Sequence, residues 1–185
     1  MIRKATLLLL TLYACLPTTY GKDKAAEKLS QEIAATTLVQ KEQPAPDFTC
    51  QTTDGKNITL SALKGNVVVL YFFSMSALPA SAAEMRYLET EIFQHLRKRK
   101  DFQLIAIGRN HTREDLVKLA GDNKLTFPMV PDPKQDLFGR YFSKFVPRTV
   151  VVGKDGKIAQ LSHGYHEYDG IIKLQAVLVQ QLNWR

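Results

Sequence analysis

Cysteine is scarce in this chain: 185 residues contain two, Cys15 and Cys50. Two thiols are too few for a disulfide scaffold or a structural zinc site. Apolar runs long enough for a membrane helix are also wanting. The run Ala5–Cys15 has eleven residues, short of the roughly 20 that cross a bilayer. Basic residues are in excess, with a formal charge of +7, but only Arg97–Lys100 forms a dense cluster. Nucleic acid is therefore not an expected partner. No Gly-x-Ser-x-Gly elbow, internal repeat or low-complexity segment is present.

What is there reads as one soluble domain behind a leader. Hydrophobic residues make up 45% of the chain and charged residues 23%, the mix of a globular protein. Arg3 and Lys4 followed by Ala5–Cys15 have the n-region and h-region of a signal peptide, so residues 1–21 are expected to be a removable leader. Leu12-Tyr13-Ala14-Cys15 resembles a bacterial lipobox, which would make Cys15 the lipidated first residue of the mature protein. Thr19-Tyr20-Gly21 could instead serve ordinary cleavage. Either way the chain reads as exported, to the periplasm or as a membrane-anchored lipoprotein of a bacterial envelope. Residues 22–44 are polar and alanine-rich, with a weak helical stripe of Leu29, Ile33 and Val39, and read as a tether with at most a short helix. The folded domain is expected over residues 45–185.

Within it, helix and strand patterns alternate. Asp54-Gly55 sits between two β-prone stretches and predicts a hairpin. Val67–Phe73 (VVVLYFF) is unbroken apolar sequence, as in a central strand covered on both faces. Met85, Leu88, Ile92 and Leu96 fall at helical spacing, and the helix should close on the cations Arg97–Lys100. Phe102–Gly108 predicts a second buried strand, Thr112–Asp115 a capping box opening a helix to Gly121, and Asp132–Phe142 a shorter helix. Arg148–Val152 and Lys157–Leu161 predict a second hairpin around Asp155-Gly156, and Ile171, Leu174, Leu178 and Leu182 a closing helix. That order implies an α/β fold, a mixed central sheet with helices on both faces and an N-terminal hairpin.

In this order and spacing, Ala45-Pro46-Asp47-Phe48, Asp54-Gly55-Lys56, the turn Leu60–Gly65, the strand Val67–Phe73, Ile107-Gly108-Arg109 and Val146-Pro147-Arg148 resemble exported TlpA/redoxin-type (AhpC/TSA-like) proteins of the thioredoxin-like superfamily. The resemblance covers residues 44–182 and implies a thioredoxin-like fold. It also implies thiol–disulfide chemistry at a Cys-x-Pro-Cys turn after the central strand. Here the matching stretch is Ser74-Met75-Ser76-Ala77-Leu78-Pro79-Ala80, with alanine at both cysteine positions, Ala77 and Ala80, and Ser76 where the family carries tryptophan. The stretch from Ala80 to Glu84-Met85 is one residue longer than the family's. Exchange needs an attacking thiolate and a resolving thiol, and a methyl group supplies neither.

No other residue has the surroundings to replace the thiols. Cys50, expected on the first strand of the leading hairpin, reads as a small buried hydrophobe with no local base or cation to activate it. Ser74, Ser76 and Ser81 read as helix caps. His163 and His166 lack a third ligand with a metal motif, and His111 and His95 read as loop and rim positions. No metal or cofactor is expected. Pro147 matches the proline that is cis in the family, where the backbone before it, here Val146, pairs with an extended substrate peptide. Two functions follow. One is a non-catalytic module that binds a peptide or protein partner in the envelope, with a groove of Ser76, Leu78, Pro79, Val146, Pro147 and the loop after Ile107. The other is a thiol–disulfide oxidoreductase or thiol peroxidase acting through Cys50, or one whose cysteines were replaced on purpose.

Overall fold

A computed structural model describes residues 24–77, 80–163 and 169–184. The leader, with Cys15, lies outside them, as do Leu78, Pro79 and His166. The elements in chain order are α1 (Lys24–Ala35), β1 (Thr49–Gln51), β2 (Asn57–Thr59), β3 (Val67–Phe73), α2 (Ala80–Tyr87), α3 (Gln94–Leu96) and β4 (Phe102–Arg109). They continue with α4 (Arg113–Asn123), β5 (Met129–Asp132), α5 (Phe138–Tyr141), β6 (Arg148–Val152), β7 (Ile158–His163) and α6 (Asp169–Leu182). None of the helices among the described residues is long and apolar enough to cross a membrane.

The run VVVLYFF forms β3, and all seven of its residues are buried. A strand alternates its side chains between the two faces of a sheet, and here both faces are covered. Val67, Val69, Tyr71 and Phe73 pack with Met85, Leu88, Ile92 and Leu96 and with the α6 residues Leu174, Leu178 and Leu182. Val68, Leu70 and Phe72 pack on the other side with Phe138, Tyr141, Phe142, Phe48 and Val39. The main sheet has the order β5-β4-β3-β6-β7. β3, β4 and β5 are parallel, while β6 and β7 run antiparallel. β1 and β2 pair antiparallel as a separate hairpin.

The turn chemistry is as the sequence implies. Gly55 and Gly156 sit at φ 86° and 82° in the two Asp-Gly turns, a conformation that glycine adopts without strain. The capping box opens α4: the Asp115 N–H donates to Thr112 Oγ1 at 3.3 Å and the Thr112 N–H to Asp115 Oδ2 at 2.9 Å. α4 runs two residues past the expected end at Gly121, and Lys124 in the left-handed region closes it.

Three expectations need correction. The helix expected over Asp132–Phe142 is a single turn, because Met129–Asp132 is spent as the edge strand β5. Asp132 ends that strand and caps the turn instead, accepting the Leu137 and Phe138 N–H groups at 3.2 and 2.8 Å. The long helix after Pro79 is not uniform: residues Leu88–Phe93 between α2 and α3 form a π-helical stretch. A π turn holds more residues than an α turn, which lets a helix with a surplus residue keep Met85, Leu88, Ile92 and Leu96 all on the sheet. The tether expected over residues 22–44 is held to the domain from Thr36 onward. Val39 is buried, Thr37 bridges to Phe142, and Pro44 bridges to Lys157. Only α1 before it keeps the exposed character of a tether.

Glu89 pins the π stretch to the chain before β5. Its buried carboxylate accepts the Thr126 N–H at 2.7 Å, the Thr126 hydroxyl at 2.5 Å and the side-chain amide of Gln94. Truncation takes the acceptor from donors on Thr126 and Gln94, exposed residues that water can reach, so the loss is the net worth of the bonds, about 0.5–1.5 kcal/mol each. Glu89→Ala is therefore expected to lower stability by about 1–3 kcal/mol in urea unfolding, and Glu89→Gln by less.

Candidate functional site

The site expected from the sequence lies where β3 ends. In the register of β3 against β6, Phe72 faces Arg148. The chain leaving β3 at Ser74–Ala77 and the chain entering β6 at Val146-Pro147 therefore emerge side by side. The Val146–Pro147 bond is cis, as the resemblance implies. Pro147 is buried, Val146 half-buried and Ser76 exposed. Met75–Ala77 forms one 3₁₀ turn, and α2 begins at Ala80. The structure thus brings Ser76, Ala77, Ala80, Val146 and Pro147 to one edge. Leu78 and Pro79 belong to the same loop but lie outside the described residues.

Serines shape the turn. Ser74 is buried and shares a 2.9 Å hydroxyl–hydroxyl bond with Ser76, whose N–H also points to Ser74 Oγ at 3.4 Å. This is local backbone capping of a tight turn, consistent with the reading of these serines as caps.

His111 reaches the same turn from the end of β4. Its Nε2 accepts the Met75 N–H at 2.9 Å, and its ring stacks on Phe73 with centroids 6.1 Å apart. An accepting Nε2 places the ring proton on Nδ1, which faces Asp115 Oδ2 at 3.8 Å. Burial lowers the His111 pKa, opposed by the Asp115 charge, so the ring serves the turn as a neutral acceptor. His111 is the loop residue expected before Thr112, and its ring also braces the candidate site. The contact joins residues 36 positions apart, and no local pattern signals it.

A titratable group lies on α2, bonded to β3. Tyr71 Oη donates to Glu84 Oε2 at 3.2 Å. Burial raises the Glu84 pKa to about 7, against the lowering effect of the Tyr71 bond. A carboxyl near the operating pH can move a proton.

Cys50 is not part of this site. It is half-buried on β1 and packs with the face of the sheet opposite to the one that α2 covers. Burial pushes its thiol up to about 11. Roughly one molecule in ten thousand then carries the thiolate at pH 7. No group of three or more metal-ligating side chains is found among the described residues. His95 is exposed, as expected, near Trp184. His163 is half-buried on β7 opposite Arg148, a less open place than the hairpin end expected for it.

In the sequence Arg148 follows Val146-Pro147 and opens β6. Its side chain is 2% exposed, and the strand alternation that buries Val150 and Val152 puts position 148 on the same inward face. That alternation is the sequence signal that could have singled it out.

The AhpC/TSA family model matches residues 42–161. Among curated proteins, the thiol-disulfide oxidoreductase ResA of Bacillus thuringiensis is 30% identical over 116 residues, 63% of this chain and 65% of the relative. ResA of Bacillus subtilis is 26% identical over 135 residues, 70% of this chain and 74% of the relative. The chain thus spans somewhat under two thirds of the first of these relatives. A solution structure from Bacteroides thetaiotaomicron, provisionally named a protein disulfide isomerase, superposes with a TM-score of 0.74 at 32% identity, covering 80% of this chain and 93% of that one. A crystal structure from Chlorobium tepidum, provisionally named a thiol:disulfide interchange protein DsbE, gives a TM-score of 0.64 at 24% identity over 76% and 97%. The fold is thioredoxin-like, as expected.

The raised thiol pKa sets a pH prediction. Alkylation of Cys50 by iodoacetamide is expected to be far slower than that of free cysteine at pH 7.5, and to keep rising to about pH 10 without a plateau. A plateau at or below pH 8.5, followed by mass spectrometry, would reveal an activated thiol and contradict this account.

Proposed function

The chain belongs to the AhpC/TSA family, and we propose that it is a non-catalytic member that binds an extended peptide or protein segment across the turn where its relatives place reactive cysteines. The observation that carries this is the pair Ala77 and Ala80 at the start of α2 on an otherwise complete thioredoxin-like frame. Thiolate attack and resolution are absent from those positions, and Cys50 is half-buried on β1, on the other side of the sheet, with a pKa that keeps it protonated.

A binding role needs only what remains. Val146 precedes β6 with its backbone at the sheet's end, where an extended peptide could add main-chain hydrogen bonds. Ser76 stands exposed beside it, on a turn held by Ser74 and by neutral His111. Leu78 and Pro79 would complete the groove. The leader pattern of residues 1–21 supports export to the cell envelope, with a lipid on Cys15 as the tether in this reading. No metal or cofactor enters this reading.

Fluorescence anisotropy with cysteine-free extended peptides tests it. Binding is expected to weaken about tenfold or more, roughly 1.4 kcal/mol, in Ser76→Arg and in Val146→Asp. Peptides that bind equally to wild type and both variants would locate recognition elsewhere and remove the groove from the account.

A further inference from the structure

Three turns close the sheet at the end opposite the candidate groove. Residues 63–66 lead into β3, residues 97–101 lead into β4, and residues 153–157 join β6 to β7. The turns touch: the Val67 N–H donates to the Asp101 carbonyl and the Gly65 N–H to the Lys154 carbonyl, both at 2.9 Å. The end of α6 joins them, where Arg99 Nη2 donates to the Leu182 carbonyl at 3.0 Å.

The fold collects charge here. Lys64 comes from the first turn, Arg97-Lys98-Arg99-Lys100 from the second, and Lys154 and Lys157 from the third. Against these seven cations stand three carboxylates, Asp101, Asp155 and, on the docked N-terminal segment, Glu42. Asp101 serves both Arg99 and Lys154, at 2.9 Å each. Lys64, Arg97, Lys98, Lys100 and Lys157 are exposed, and none of them has an ion pair among the described residues. Apolar surface adjoins the cations. Trp184, the single tryptophan of the chain, lies half-buried just after α6. With His95, Gln175 and Val179 it lines an open groove of about 680 Å³, and Val179 is 48% exposed.

We infer that this end of the domain docks on an anionic lipid surface, with the cations against headgroup phosphates and Trp184 and Val179 at the interface. A headgroup layer is anionic at its phosphates and apolar just beneath, and tryptophan favours that boundary. Cations bordering an accessible tryptophan and valine match this layering, whereas an acidic protein would use the cations alone. A single acyl chain holds a protein to a bilayer weakly, and a polybasic patch is the second signal that secures it. That is the situation the lipid reading of Cys15 describes. The inference takes from that reading only where the lipid is met; the docking itself needs no leader. β3 runs from this end toward the candidate groove, about 20 Å for its seven residues. A docked domain therefore holds the groove clear of the bilayer.

Vesicle binding by residues 24–185, which contain every described element, tests the assignment. The probes are vesicles of about 30% phosphatidylglycerol in phosphatidylcholine, vesicles of phosphatidylcholine alone, and soluble polyglutamate. Binding to the anionic vesicles is expected to be about tenfold or more tighter than to the neutral ones, to weaken with salt, and to shift Trp184 emission to the blue. Each Lys or Arg near such a surface strengthens partitioning about fivefold. The triple variant Arg97→Gln, Lys98→Gln, Lys100→Gln should therefore bind about tenfold or more weaker. Removing three charges away from these turns, with Lys56→Gln, Lys134→Gln and Lys144→Gln, should cost about threefold or less. All six side chains are exposed, so neither variant threatens the fold. Equal binding to both kinds of vesicle, unchanged Trp184 emission in the bound state, or equal losses in the two triple variants would each overturn the assignment. Binding to polyglutamate with none to the vesicles would overturn it in favour of an acidic protein. Peptide binding at the groove is measured separately, so either reading can fail alone.

Discussion

Everything in this molecule is hung on the burial of one strand from both sides. β3 has no solvent-facing residue, so its odd and even positions each demand an apolar cover. The helices α2, α4 and α6 answer one demand; α5, the hairpin and the docked segment around Val39 answer the other. Full burial of one Val, Leu or Phe side chain stabilises by about 1.5–3 kcal/mol, so seven such positions in a row fix the register of the neighbours. That register brings Val146-Pro147 beside Ser74–Ala77 and carries Arg148 into the interior opposite Phe72.

The functional reading follows from which parts of that frame are kept and which are changed. The turn after β3 is still braced, by the Ser74–Ser76 pair and by His111 accepting from Met75. Glu84 on α2 accepts the Tyr71 hydroxyl of β3. In the proposed reading Ala77 and Ala80 stand where a thiolate would be needed, and a methyl group supplies none. A scaffold that positions a strand end precisely enough for exchange chemistry also positions it for main-chain pairing, and only the second use requires no thiol.

Local patterns were legible from the residues and long-range ones were not. Val67–Phe73, both Asp-Gly turns and the Thr112–Asp115 box are each written in a short window and form as read, while the Met85-to-Leu96 spacing gives the buried face but not the π stretch within it. β5 was missed because it is four residues long and contains Pro131, which suits only an edge strand. The docking of Thr36–Pro44 was missed because single residues such as Val39 carry it, with no periodic pattern. His111 acts through a backbone group 36 residues away. Arg148 had a signal, a charge in step with Val150 and Val152. That signal has force once the strand is known to be buried on both faces.

The central claim is that this domain has kept the frame and lost the reaction. Reduction of insulin disulfides in the presence of dithiothreitol tests it, comparing residues 24–185 with the same chain carrying Ala77→Cys and Ala80→Cys. The account predicts no acceleration by the native domain over dithiothreitol alone, and acceleration by the double variant. Catalysis by the native domain would contradict it, because a group other than the two missing thiols would then carry the chemistry.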